Sequence, residues 1–194
     1  RLRANNDLTD DSLIVNNDVS LVIDDGSGST TARVVLPSSH AQFVDITVGA
    51  ADSIRGITSD TLTVSGDFTI NSSGAVDFSE GRIVFDGSEK QTFTLSDSLK
   101  FNVLSVNNTS TDGLVLAGGN NINVVGDLEL LNGDLNLGGA TLRLPQGNTD
   151  QGFSGADSTS YVVNGSIVKQ INGGDDFAAQ RNYVRFPVGV AGTG

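Results

Sequence analysis

Residues 43–87 read FVDITVGAADSIRGITSDTLTVSGDFTINSSGAVDFSEGRIVFDG, and residues 101–147 read FNVLSVNNTSTDGLVLAGGNNINVVGDLELLNGDLNLGGATLRLPQG. Set side by side, the two stretches repeat imperfectly. Phe43 falls on Phe101, Ile46 on Leu104, Val48 on Val106, and Gly66-Asp67-Phe68 on Gly126-Asp127-Leu128. Arg82-Ile83-Val84-Phe85 falls on Thr141-Leu142-Arg143-Leu144, at almost the same separation. A near-constant offset is the mark of stacked repeat architecture.

Within each stretch short runs alternate apolar and polar, as half-buried strands do. Leu62-Thr63-Val64, Phe68-Thr69-Ile70 and Val76-Asp77-Phe78 belong to the first. Ile122-Asn123-Val124, Leu128-Glu129-Leu130 and Leu135-Asn136-Leu137 belong to the second. Each run spans about three to five residues, below the usual strand mode. Turn residues separate them, among them Ser65-Gly66-Asp67, Asp86-Gly87, Asn132-Gly133 and Gly138-Gly139. That spacing suits a sandwich or a solenoid, and the repeat selects the solenoid. In a β-helix each coil must match its neighbours position by position, because strands stack about 4.8 Å apart.

The expected fold is therefore all-β: a parallel β-helix, or β-solenoid, with a short strand-rich C-terminal junction. Each period should hold about three coils of roughly 20 residues. Right-handed coiling is expected from the usual preference of parallel crossovers. Three segments are expected: 1–42 as a degenerate N-terminal β repeat, 43–147 as superrepeats (43–100 and 101–147), and 148–194 as connector and start of a following β module. Phe93 to Lys100 reads as a loop inserted between the repeats. Inward ladders are assigned to Leu62, Val64, Phe68, Ile70, Val76, Phe78, Ile122, Val124, Leu128, Leu130, Leu135 and Leu137, each worth about 1.5–3 kcal/mol on burial.

Composition narrows the function. The 194 residues carry 23 Asp and Glu against 11 Lys and Arg, a formal charge of −12. Nucleic acid binding depends on Lys and Arg neutralising phosphates, so nucleic acid is not the expected partner, nor is insertion into a membrane. There is no Cys and no Met, even at position 1. The expectation is a chain that begins after processing or belongs to something longer.

The pattern Phe101-x-x-Leu104-x-Val106-Asn107-Asn108, then Val124-x-Gly126-Asp127-Leu128 through Leu144, then Ser160 to Lys169 and Phe186-Pro187-Val188-Gly189, is similar to β-helical repeat regions of large Bacteroidota cell-surface proteins. These are the type IX-secreted, gliding-motility-adhesin-like proteins. The resemblance covers roughly 43–190 and carries no catalytic motif. It implies an extracellular, non-enzymatic structural or adhesive stalk segment whose partners are neighbouring modules of the same chain, surface glycans or other cell-surface proteins. In that family the Phe186-Pro187-Val188-Gly189 stretch leads into a further β module.

The search for chemistry supports no catalytic assignment. His40 is the only histidine, no Gly-x-Ser-x-Gly elbow frames a nucleophile, and a zinc site lacks ligands. The acids that could serve a polysaccharide-active enzyme are Asp77, Glu80 and Asp86 near Arg82, and the pair Asp127 and Glu129, which share a strand face. That enzyme, or a carbohydrate-binding module, is the first alternative; a phage or virion fibre is the second. No cofactor is expected except calcium, a cation that takes oxygen ligands. Its candidate ligands are Asp24 and Asp25 in one turn and Asp175 and Asp176 in another. Between the repeats the outward residues drift: Thr61 against Asn121, Thr69 against Glu129, Asp77 against Asn136.

Overall fold

The computed structural model describes residues 19–24, 33–36, 40–56, 61–71, 74–145, 152–157, 159–169 and 188. All regular structure among them is β, and none is a helix long and apolar enough to cross a membrane. The chain winds as a three-sided solenoid. The first coil holds β1 (Leu21–Ile23), β2 (Arg33–Val35) and β3 (His40–Phe43), one strand per face. The second holds β4 (Ile46–Val48), β5 (Ser53–Arg55) and β6 (Thr61–Val64).

From the third coil the second and third faces share one strand. β7 (Phe68–Ile70) precedes β8 (Ala75–Phe85), β9 (Gln91–Thr94) precedes β10 (Leu99–Asn107), and β11 (Leu114–Ala117) precedes β12 (Ile122–Asn132). The sixth coil separates the faces again as β13 (Leu135–Asn136), β14 (Thr141–Leu144) and β15 (Phe153–Ser154). A last partial coil adds β16 (Val162–Val163) and β17 (Ser166–Lys169).

Every recorded pairing between these strands is parallel. The first face is a seven-stranded sheet from β1 to β16. Its register runs Leu21 to Ile46 to Phe68 to Phe93 to Leu116. The turns are unequal: one carries the chain from Leu114 to Leu135, and the longer next one from Leu135 to Val162. The third face stacks Ala41, Leu62, Ile83, Leu104, Leu128 and Phe153.

This register corrects the alignment of the two stretches. Phe43 stacks on Val64, Val64 on Phe85, and Phe85 on Val106, not on Phe101. Phe101 belongs to the second face, on Phe78. Gly66-Asp67 lies at the corner before the first face, whereas Gly126-Asp127 lies inside β12, where the second face bends into the third. The alignment matched strands of like pattern from different faces. Strand lengths also depart from expectation. β8, β10 and β12 run for 11, 9 and 11 residues. The second and third faces are there joined without a loop, and a bulge between Phe101 and Val103 absorbs the bend.

β1, β2 and β3 pair with the second coil. β15, β16 and β17 pair with the coils below them. Val188 bridges in parallel to Val162 and so continues the first face. Phe93 to Lys100 is no inserted loop: it contributes Phe93 and Thr94 to β9 and Leu99 and Lys100 to β10.

All of the expected inward residues are buried. The alternation places them inside, and the three faces converge on a common core. At its centre Phe93 meets one phenylalanine from each face. Its ring centroid lies 5.0 Å from Phe68, 5.2 Å from Phe85 and 6.0 Å from Phe101. Such close aromatic pairs add to the transfer energy of burial.

Two polar devices close the corners. One is an aspartate just before a first-face strand that reaches to the coil above. The Asp67 N–H donates to Asp45 Oδ1 (2.8 Å), the Thr92 N–H to Asp67 Oδ1 (2.7 Å), and the Tyr161 N–H to Asp134 Oδ1 (3.2 Å). The other is a glycine where the corner needs a left-handed backbone. Gly113 has φ +58°, and a Cβ there would stand 2.1 Å from the Asp134 carbonyl oxygen, so only glycine fits.

Candidate functional site

Outward side chains form columns, because parallel register sets like positions above one another. On the third face one column runs His40, Thr61, Arg82, Val103 and Asp127. Its neighbour holds Thr63, Val84, Ser105, Glu129 and Ser154. Arg82 on the third coil forms an ion pair with Glu129 on the fifth, reaching past the coil between them. Ser105 lies on that intermediate coil and is fully buried although its position faces outward. Its hydroxyl has no hydrogen-bond partner among the described residues. Beside the pair, Ser154 Oγ donates to Asp127 Oδ2 (2.9 Å).

Asp127 and Glu129 therefore do share a face, as their i, i+2 spacing requires. Asp77 does not join them. It lies on the second face, where Arg55 Nε stands 3.4 Å from its carboxylate and Ser79 donates to it through Oγ (2.8 Å) and N–H (3.2 Å). Glu80 lies further along β8, and its carbonyl accepts from Asn102 Nδ2 (3.5 Å). His40 lies on β3 with its Nε2 3.3 Å from Thr63 Oγ1. The enzyme alternative requires these acids and bases in one groove. The structure divides them between two faces.

The two carboxylate environments differ in sign. Partial burial pushes the Asp127 carboxyl above its ordinary value, and the negative Glu129 adds to the push, against the Ser154 hydrogen bond and Arg82. For Asp77 the Ser79 side-chain hydrogen bond leads, with the Ser79 N–H, Arg55 and Lys100 pulling the same way, and the net shift is downward despite some burial. Linkage then gives opposite slopes. Asp127 subtracts stability at neutral pH, and that penalty fades as pH falls through its raised native value. Asp77 adds stability above the ordinary carboxylate value of 3.8, and the gain is lost as pH falls through its depressed native value. Asp127→Asn should therefore raise stability at pH 7 by roughly 0.5 kcal/mol, the scale of a solvent-screened surface charge. Its advantage should vanish near pH 3, whereas Asp77→Asn should lose stability at pH 7. Thermal melts at the two pH values measure both.

Of the calcium candidates, Asp24 is exposed just past β1. Asp25, Asp175 and Asp176 lie outside the described residues. Among the described residues no three His, Asp or Glu side chains gather as a metal site. Four Asn-x-Ser/Thr positions occur at Asn71, Asn107, Asn108 and Asn164. Asn108 is fully buried and committed to the core.

Sequence reading missed the polar cluster around that residue. Gln91 occupies an inward position beneath Leu114, Leu135 and Val162. Its Oε1 accepts from the Gly87 N–H and from Asn108 Nδ2, both at 2.9 Å. Its Nε2 donates to the carbonyls of Val64 (2.9 Å) and Gly66 (2.7 Å). Asn108 Nδ2 also reaches the Glu89 carbonyl (2.7 Å). The available signal was a glutamine at a place where the coils above carry Leu, Leu and Val.

Together these features make the molecule a three-sided parallel β-solenoid. No family model, curated protein or solved structure matched the chain.

Proposed function

We propose that this chain is a non-enzymatic structural or adhesive stalk segment of a large extracellular surface protein. One observation carries the reading. The inward ladders run through every described coil, while the outward positions in the same register change chemistry from coil to coil. Ala41, Leu62, Ile83, Leu104 and Leu128 stay apolar, but Thr63, Val84, Ser105, Glu129 and Ser154 do not agree. A fold that keeps only its interior constant is a scaffold: it extends by adding coils and leaves each face free to present a surface. The acids that would serve catalysis are engaged elsewhere, Glu129 with Arg82 and Asp77 with Arg55 and Ser79.

The resemblance to Bacteroidota surface repeat proteins supports placing the segment outside the cell, between neighbouring modules of a longer chain. The test is incubation of the purified chain with a panel of neutral and acidic polysaccharides, following new reducing ends and chain length. The expected result is no cleavage. Turnover that disappears in Asp127→Asn or Glu129→Gln would overturn the proposal in favour of a polysaccharide-active enzyme.

A further inference from the structure

Charge is not spread evenly over the three faces. Among the described residues seven are Lys or Arg, and four of them, Arg33, Arg55, Lys100 and Arg143, point outward from the second face. The first face presents Val22, Thr47, Thr69, Thr94 and Ala117 in one column with no charge. A chain with a formal charge of −12 thus keeps a basic stripe on one side.

The stripe has a period. Its column runs Arg55, Asp77, Lys100, Asn123, Arg143. Arg55 pairs with Asp77, Lys100 with Asn123, and Asn123 with Arg143. Lys100 stands one residue before the Phe101–Phe78 pair, directly above Asp77. Cations therefore occupy alternate coils, on the order of 9–10 Å apart along the axis. Lys100 and Arg143 are exposed, and Asp77 is the single acid in the column.

We propose that the second face binds an extended anionic polysaccharide carrying one carboxylate per disaccharide, laid along the solenoid axis. The spacing of the cations is close to the disaccharide repeat of such a chain. Asn123, between two of the cations, offers an amide to the sugar hydroxyls. Nucleic acid fits poorly: its phosphates follow one another every ~3.4 Å along each strand, far denser than the stripe. Arg favours carboxylates because its planar fork can grip them at two points. The inference rests on the adhesive reading and deepens it by naming a face and a ligand class.

The experiment is binding of the chain to immobilised hyaluronan, with dextran, single-stranded DNA and polyglutamate as comparison surfaces. Hyaluronan should be retained, retention should weaken with added salt, and dextran should not bind. The double variant Lys100→Gln and Arg143→Gln should lose about tenfold in affinity, the effect of removing two exposed charge pairs. Its melting temperature should hold, because both side chains face solvent. Asp77→Asn should bind more tightly, since it removes the competing carboxylate. Hyaluronan affinity unchanged in the double variant overturns the proposal, as does tighter binding to DNA or to polyglutamate. Binding to dextran alone overturns it while leaving the adhesive reading in place. Cleavage of hyaluronan overturns the adhesive reading itself.

Discussion

Phe93→Ala should lower the free energy of unfolding by about 3–5 kcal/mol, the range for truncating a fully buried phenylalanine. The position justifies the upper part of that range. Phe93 has no solvent exposure and contacts Phe68, Phe85 and Phe101, one from each side of the prism. Collapse around the hole is limited, because each neighbour is held by a backbone ladder that also fixes the coils above and below. Phe93→Leu should cost clearly less, since most of the volume is restored. Urea unfolding of both variants measures the difference. A loss under about 1 kcal/mol for the alanine variant, the scale of an ordinary substitution, would show that the three faces are not braced through this ring.

Gln91→Leu should also destabilise the fold, although it makes its column uniformly apolar. Leucine matches Leu114, Leu135 and Val162 above it and adds hydrophobic burial. It also strips partners from the Gly87 N–H and from the Gly66 carbonyl, leaves the Val64 carbonyl with the Asp86 N–H alone, and leaves Asn108 Nδ2 with one acceptor instead of two. Each buried polar group left unpaired costs about 1–3 kcal/mol, so two outweigh the gain from one leucine side chain. The expected net loss is on the order of 2 kcal/mol, read by the same urea titration. Gln91→Glu is the companion variant: it keeps the shape, turns the donor into an acceptor facing two carbonyls, and should also destabilise. A leucine variant as stable as the parent would mean that water or a backbone shift satisfies those groups.

These two positions also mark how far the sequence can be read. In the sequence Phe93 opens the apparent insertion from Phe93 to Lys100. Gln91 draws no inward assignment, since polarity ordinarily signals exposure. The inward residues from Leu62 to Phe78 and from Ile122 to Leu137 are legible, because an apolar residue at every second place has only one low-energy destination in a strand. The pairing of Asp127 with Glu129 on one face is legible for the same reason. Their separation from Asp77 is not: it depends on where the chain turns a corner, and turn length varies from coil to coil.

Read alone, the residues specify an all-β chain, its coiling as a parallel solenoid, and the side of each strand that faces in. Period-two alternation, a local property of the chain, suffices for the strands and their inward sides, and the repeat points to the solenoid even though its alignment crosses from one face to another. Folding in three dimensions adds the register, the merging of two faces into single long strands, the Gln91–Asn108 closure and the collection of Arg55, Lys100 and Arg143 into one stripe. Each of these depends on which residues become neighbours one coil apart. Leu114 to Leu135 and Leu135 to Val162 are both single turns of this solenoid, yet they differ in length. The number of residues per turn therefore does not repeat as a constant along the chain, and the neighbours one coil apart cannot be counted off from the sequence.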